Sequence, residues 1–169
     1  MSVVTVAGSV GALGQPVSPT PQMTQLGQLV GKWVYQEEFR AKPDAGWEKG
    51  SSQWENRWLG EGVFLETPGS MTFPGGRRVS VAQVYGYDPA RKVHFTSYFV
   101  SDGTLGTGTW DWTGAAATEE DTEVAPNGTK TTLRCTSTLS PDSRSMEGSC
   151  ERSTDGKWWV FRRFKGTKQ

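Results

Sequence analysis

The sequence is short of the residues on which most familiar catalytic and metal sites depend. It contains one histidine and two cysteines among its 169 residues. Zinc sites need about three or four protein ligands, so a zinc-ligand set is not expected. A Walker loop, a complete Gly-x-Gly-x-x-Gly turn and a Gly-x-Ser-x-Gly nucleophile elbow are also missing. Metal hydrolysis and nucleotide chemistry are therefore not expected, and we predict no metal and no cofactor.

An excess of charge of either sign is also absent. Lys and Arg together number 18, as do Asp and Glu, for a formal net charge of +0. The broad basic surface of a nucleic-acid or anionic-membrane binder is therefore not expected. Residues 1–31 carry no charged side chain, so they lack the basic start of a secretory signal. We predict a cytoplasmic protein that binds neither nucleic acid nor membrane, and the sequence leaves its oligomeric state open.

Two cysteines are too few for a disulfide framework, so reduced thiols are the default in a cytoplasmic protein. One cross-strand disulfide is the alternative. A two-residue turn at Pro141-Asp142 would place Cys135 opposite Gly148, one diagonal step from Cys150. We therefore expect both cysteines on the same face of one hairpin, where a bridge would need a small change of register.

Aromatic residues and glycine are abundant, with 8 Trp and 21 Gly. This pairing is typical of strands that curve around an enclosed space. Alternating patterns separated by turn dipeptides such as Asp88-Pro89 and Asn127-Gly128 indicate hairpins between sequential strands. The sequence predicts an all-β fold, a single closed antiparallel up-and-down barrel of about eight to ten strands. Strands are expected at 33–39, 52–58, 63–67, 77–87, 93–100, 105–113, 117–124, 129–139, 144–152 and 158–164.

The chain divides into two parts. Residues 1–20 mix Gly, Ser, Val and Pro without a period and are expected to form a flexible arm or a lid. Residues 21–169 are expected to form the barrel domain. A short helix with Met23, Leu26 and Leu29 on one face should lead into the first strand.

The first two strands predict the ligand-binding residues. Period-2 alternation places Trp33, Tyr35, Glu37 and Phe39 on one face, and the next strand repeats this pattern with polar and aromatic residues. Aromatic side chains on adjacent strands can form a wall against a flat or polyene-like ligand, or simply fill the core. A buried asparagine must find partners, in a ligand or in the protein. The candidate ligand-binding residues are Tyr35, Trp54, Asn56 and Trp58.

Three residues are candidates for acid–base chemistry. Glu37 is expected to point inward, where it could act as an acid or base or form an ion pair with an interior Arg or Lys. His94 is the only side chain whose unperturbed pKa lies near neutrality. It shares one strand face with Tyr98, and this face is either the interior or the polar exterior of the barrel. The candidate catalytic residues are thus Glu37, His94 and Tyr98.

Other charged and aromatic groups are given no functional role. The acidic run Glu119-Glu120-Asp121 and the basic pair Arg77-Arg78 are expected to be solvated. Trp110 and Trp112 are expected to pack in the core.

One motif resembles a known family. Gly31-Lys32-Trp33, after a short helical turn, resembles the Gly-x-Trp signature of lipocalins and their calycin relatives. In that group a late-strand Arg packs over the Trp, and the resemblance implies this role for Arg162 or Arg163. The segments 26–33, 85–92 and 155–158 are similar in order and spacing to a bacterial lipocalin-like family of unknown function. The resemblance implies a barrel with an interior ligand site, and some such barrels in biosynthetic pathways are cyclases.

Two functions remain open at this point. One is a cofactor-independent cyclase or isomerase that folds a polyketide- or terpenoid-like intermediate into a reactive shape, with cycloaddition as one route to ring closure, and that uses orientation more than nucleophiles. The other is a non-catalytic carrier or sensor of a hydrophobic ligand. In both, the expected partner is an apolar small molecule.

Overall fold

The computed structural model describes residues 20–154 and 156–169, and these form a closed antiparallel barrel of ten strands. The predicted fold class is confirmed, and every predicted strand is present: those at 93–100 and 105–113 have the predicted bounds, and the other eight differ at one or both ends. The strands are β1 Gly31–Phe39, β2 Glu48–Leu59, β3 Phe64–Thr72, β4 Arg78–Asp88, β5 Val93–Val100, β6 Leu105–Thr113, β7 Ala116–Val124, β8 Lys130–Leu139, β9 Ser145–Thr154 and β10 Lys157–Lys168.

Each strand pairs with the next one along the chain, and β10 pairs with β1 to close the cylinder. Alternation of inward and outward side chains follows the period-2 patterns of the sequence. On β1, Trp33, Glu37 and Phe39 are buried while Lys32 and Val34 are exposed. On β5, Thr96 and Tyr98 are buried, so the face that carries His94 is the interior one. The sequence had left that orientation open.

A 3₁₀ helix at Pro21–Leu29 closes one end of the barrel. Met23 and Leu26 are fully buried on its inner side. Their spacing of three suits a 3₁₀ helix, in which residues i and i+3 lie one above the other. Residues 1–19, nearly all of the predicted arm or lid, lie outside the described residues. No helix among the described residues is both long enough and apolar enough to span a membrane.

Trp33 is buried at the closed end as expected, but the residue over it is different from the expected arginine. The β1–β10 register places Trp33 opposite Lys168, whose Nζ lies 5.8 Å from the centre of the Trp33 ring. Arg162 stands opposite Phe39, six positions further along β1, and Arg163 points outward to Glu38. The expectation that Arg162 or Arg163 covers Trp33 is therefore wrong, because the register is offset.

Cys135 and Cys150 face each other directly and form a disulfide bond. The expectation that they share a face of one hairpin is confirmed, but the expected two-residue loop is wrong. Ser140 N–H donates to the carbonyl of Ser145, so four residues form the turn. Those two additional loop residues shift the pairing from Gly148 to Cys150, and the bond needs no further change of register.

We expect the disulfide to stabilise the barrel by about 3 kcal/mol, the value typical of a loop of about 15 residues. Its cysteines are separated by 15 positions. The double variant Cys135→Ser/Cys150→Ser should unfold at lower denaturant concentration than the parent protein. Reductant should shift the parent towards the variant and leave the variant unchanged. Free thiols in the denatured, unreduced parent would contradict the bond.

Candidate ligand-binding site

The barrel encloses a cavity of about 420 Å³, within the usual range for small-molecule sites. Leu26 and Leu29 of the 3₁₀ helix close its inner end. At the opposite end, Arg77 and Asp102 line the rim and form an ion pair at 3.2 Å. This open end is called the mouth below.

One side of the cavity is apolar and aromatic. Two of the candidate ligand-binding residues, Tyr35 of β1 and Trp54 of β2, lie there beside Met71, Val79 and Val81 of the next two strands. The Trp54 indole N–H donates to Ser52 Oγ at 2.9 Å, which fixes the orientation of the ring. The wall therefore offers an apolar surface of defined shape.

Glycines on β6 make room in the opposite wall. At Gly106, an added Cβ would lie 2.0 Å from Cζ of Tyr98, so the phenol ring occupies the space that a side chain would fill. Tyr98 lines the cavity and its hydroxyl donates to Glu123 at 3.0 Å. Position 106 must therefore carry a small residue, because a larger one would displace the Tyr98 ring.

Glu37 forms an interior ion pair with Arg162, which was one of its two expected roles. Arg162 donates to it from Nε at 2.5 Å and from its terminal nitrogen at 2.8 Å. Ser52 Oγ donates to the same carboxylate at 2.5 Å. Burial lowers the pKa of Arg162, but the charge and hydrogen bonds of Glu37 outweigh this effect and raise it overall. The two hydrogen bonds give the pair a two-pronged geometry that fixes the orientation of both side chains.

The opposite wall is acidic, which the sequence patterns did not lead us to expect. Glu119, Asp121 and Glu123 alternate along β7 and all line the cavity. The expectation that the run Glu119-Glu120-Asp121 is solvated is wrong for Glu119 and Asp121 and holds for Glu120, which pairs outside with Arg134. Period-2 spacing from Ala117 to Glu123 was the signal for this face, because it matches the alternation of a strand.

Hydrogen bonds hold two of the three acids. Gln83 Nε2 donates to Glu119 at 3.2 Å, and the Tyr85 hydroxyl donates to its other oxygen at 3.4 Å. The Tyr98 hydroxyl likewise donates a hydrogen bond to Glu123. Asp121 is only 5% exposed, and its Oδ1 has no hydrogen-bond partner within residues 20–154 and 156–169.

Burial raises the pKa of all three carboxyl groups above their ordinary values. For Asp121 the charges of Glu119 and Glu123 add to this effect. For Glu119, Thr96, Tyr85 and Arg162 oppose it in part. For Glu123, the hydroxyl of Tyr98 and the charge of Arg152 oppose it. This wall holds protons more readily than exposed carboxylates do.

The remaining predicted site residues lie towards the helix end. Asn56 lines the cavity, and its amide donates to the carbonyl of Leu29 at 2.9 Å. Trp58 packs against the 3₁₀ helix beside Gly27. The His94 ring lies against Trp110 with 4.1 Å between the ring centres, and its Nε2 is 3.1 Å from the carbonyl oxygen of Gln22. Among the described residues, Trp58 and His94 are outside the set that lines the cavity.

The fold and the site together define a closed ten-stranded barrel with an internal cavity that is apolar on one side and acidic on the other. The described residues contain no group of three or more His, Cys, Asp or Glu side chains placed to hold a metal ion.

The chain belongs to the DUF1579 family of proteins of unknown function, whose model matches residues 18–167. Its fold is similar to the crystal structure of Rv2717c from M. tuberculosis, with a TM-score of 0.64 and 15% sequence identity. That match covers 90% of this chain and 99% of the other, and at this identity it shows the fold alone. Comparison with the curated proteins finds no match.

Proposed function

We propose that the protein binds an amphipathic small molecule inside its barrel, as lipocalin-like barrels do. The observation that carries this proposal is the cavity of about 420 Å³, which places an aromatic wall opposite a polar one. Sites of this size bury most of a small ligand against apolar surface and orient it with a few polar groups. Tyr35 and Trp54 would contact the apolar part of the ligand.

Titration with Nile red, a neutral apolar probe, tests whether the cavity binds such a ligand. Trp54→Ala should weaken its binding about tenfold, because an aromatic contact is worth on the order of 1 kcal/mol beyond the area it covers. The matched control is Trp158→Ala, since Trp158 is 38% exposed and lies against Arg134 on the barrel surface. Fluorescence titration of the parent and both variants measures the affinities. Equal loss in the two variants, or none in either, would contradict binding at the inner wall.

A carrier or sensor is the simplest protein with such a site. Glu37 is held in a two-pronged ion pair, and His94 is stacked at the helix end. Neither geometry favours the acid–base roles predicted for these residues. Binding a ligand without converting it to a product needs only the cavity walls described above. From the sequence we propose a cytoplasmic location with no role for nucleic acid or membrane; the Cys135–Cys150 disulfide is the opposing observation, because such bonds are rare in the cytosol.

A cofactor-independent cyclase or isomerase is the second candidate. Tyr98 with Glu123, and Tyr85 with Glu119, favour it because proton-donating pairs reach the cavity wall. General acid catalysis needs a group that holds its proton near neutral pH. Mass spectrometry of a ligand after incubation distinguishes the candidates: a carrier returns it unchanged, and an isomerase returns a product of equal mass and different retention.

A further inference from the structure

The charged groups on the cavity wall do not balance. Arg162 forms an ion pair with Glu37, and Arg77 forms one with Asp102 at the mouth. The three carboxyl groups of β7 then face Arg152 as the remaining guanidinium among the residues that line the cavity. Arg152 itself stacks over Phe161 at 3.9 Å. The wall around β7 therefore has an excess of acidic groups over basic ones.

Asp121 stands in the middle of this wall without a donor. It is buried, it lines the cavity, and its Oδ1 is unpartnered within the described part of the chain. Gly108 on the adjacent strand leaves room for it, since an added Cβ there would lie 2.1 Å from that oxygen. A buried carboxyl oxygen without a hydrogen bond is costly, so buried polar groups are nearly always satisfied. A ligand that supplies a donor would complete the site.

We propose that the ligand is an organic cation, a protonated amine joined to an apolar body, with its ammonium group at Asp121 between Glu119 and Glu123. The inference rests on the proposed binding function and names the chemical class of its ligand. An ammonium group brings three donors to the unpartnered oxygen of Asp121 and a compensating charge to a wall with an excess of carboxyl groups. Its apolar body would lie against Trp54 and Tyr35 across the cavity.

The groups that face the ammonium position set the pH dependence of binding. These are Glu119 and Glu123 on β7, Tyr85 and Tyr98 on β4 and β5, and Arg152 and Arg162 on β9 and β10. Because the pKa of Asp121 is raised, part of the wall is protonated before the amine binds, and a bound cation lowers the pKa again. Binding should therefore release protons and strengthen as pH rises, until the amine itself loses its charge near about pH 10.

The test compares three probes with the same apolar chain: octylamine, octanol and octanoate. Isothermal titration calorimetry at neutral and mildly alkaline pH, in buffers of different ionisation enthalpy, gives both affinity and proton release. Octylamine should bind at least about tenfold more tightly than octanol, and octanoate should bind most weakly. The preference for the amine should disappear in Asp121→Asn.

The matched control is Glu120→Gln, on the same strand but on the outer face, where Glu120 pairs with Arg134. It removes one negative charge from β7 and should keep the preference for octylamine. If Asp121→Asn does not fold, as judged by circular dichroism, Glu123→Gln carries the same test, because it removes the neighbouring inward carboxylate. A preference retained in the inward variant would overturn the inference.

The probes also separate this inference from the function on which it rests. If octanol or octanoate binds as tightly as octylamine, the cation proposal fails and ligand binding by the barrel stands. If none of the three binds, and Nile red does not bind either, both proposals fail.

Discussion

Replacing Arg162 with methionine should lower the free energy of unfolding by about 3–5 kcal/mol. The substitution keeps much of the side-chain volume but leaves Glu37 buried without its counter-ion. Glu37 is 1% exposed and accepts two hydrogen bonds from Arg162, so the loss removes charge compensation and hydrogen bonding together. Denaturant unfolding measured by tryptophan fluorescence gives the change.

Two companion variants make this result interpretable. Arg163→Met removes the adjacent ion pair with Glu38, whose partners are 47% and 46% exposed, and should cost only about 0–1 kcal/mol. The double variant Glu37→Gln/Arg162→Met should be more stable than Arg162→Met alone, because no unpaired charge remains inside. An equal loss for Arg162→Met and Arg163→Met would show that Glu37 does not depend on the interior pair.

Trp33→Ala should also cost about 3–5 kcal/mol, as large-to-small substitutions in protein cores do. The side chain is 1% exposed, packs within the cluster at the closed end, and donates its indole N–H to the carbonyl of Leu29 at 2.8 Å. The variant should therefore loosen the 3₁₀ helix as well as the strands. Amide hydrogen exchange across 21–30, with the unfolding free energy, measures both effects.

Trp33→Phe separates the two contributions of this residue. It keeps an aromatic ring in the core and removes the N–H, so it should cost less than Trp33→Ala while still increasing exchange in the helix. If the helix is protected from hydrogen exchange equally well in Trp33→Ala and in the parent, then Trp33 does not hold the helix in place.

The fold was predictable because side chains on a strand alternate between two faces. Trp33, Tyr35 and Glu37 on β1, and Trp54 and Asn56 on β2, were placed on the inner wall by this period alone. Barrel closure followed from the number of strands and the turns between sequential neighbours. The two strands that carry the aromatic part of the apolar wall were therefore visible in the sequence.

The acidic wall was missed because three charged residues in a row normally indicate a solvated segment. Glu119 and Asp121 face the cavity instead, whereas Glu120 between them is exposed as expected. The partners of Glu119, which are Gln83 and Tyr85, come from β4 and reach it only across the barrel. Such contacts depend on curvature and register, which a pattern within one strand does not contain.

Register also explains the errors at Lys168 and at the cysteines. Trp33 meets Lys168 because β10 is offset relative to β1, and Cys135 meets Cys150 because the turn at Pro141 has four residues. A sequence shows which face a residue occupies more clearly than which residue stands opposite it.

The seam between β1 and β10 has a kinetic consequence. The other neighbouring strands follow one another along the chain and can pair soon after they collapse, whereas Glu37 and Arg162 meet across 125 positions. Closing so large a loop costs conformational entropy before the contacts between β1 and β10 can stabilise it. Pairing of β1 with β10 is thus expected late in folding, and it completes the wall of the cavity.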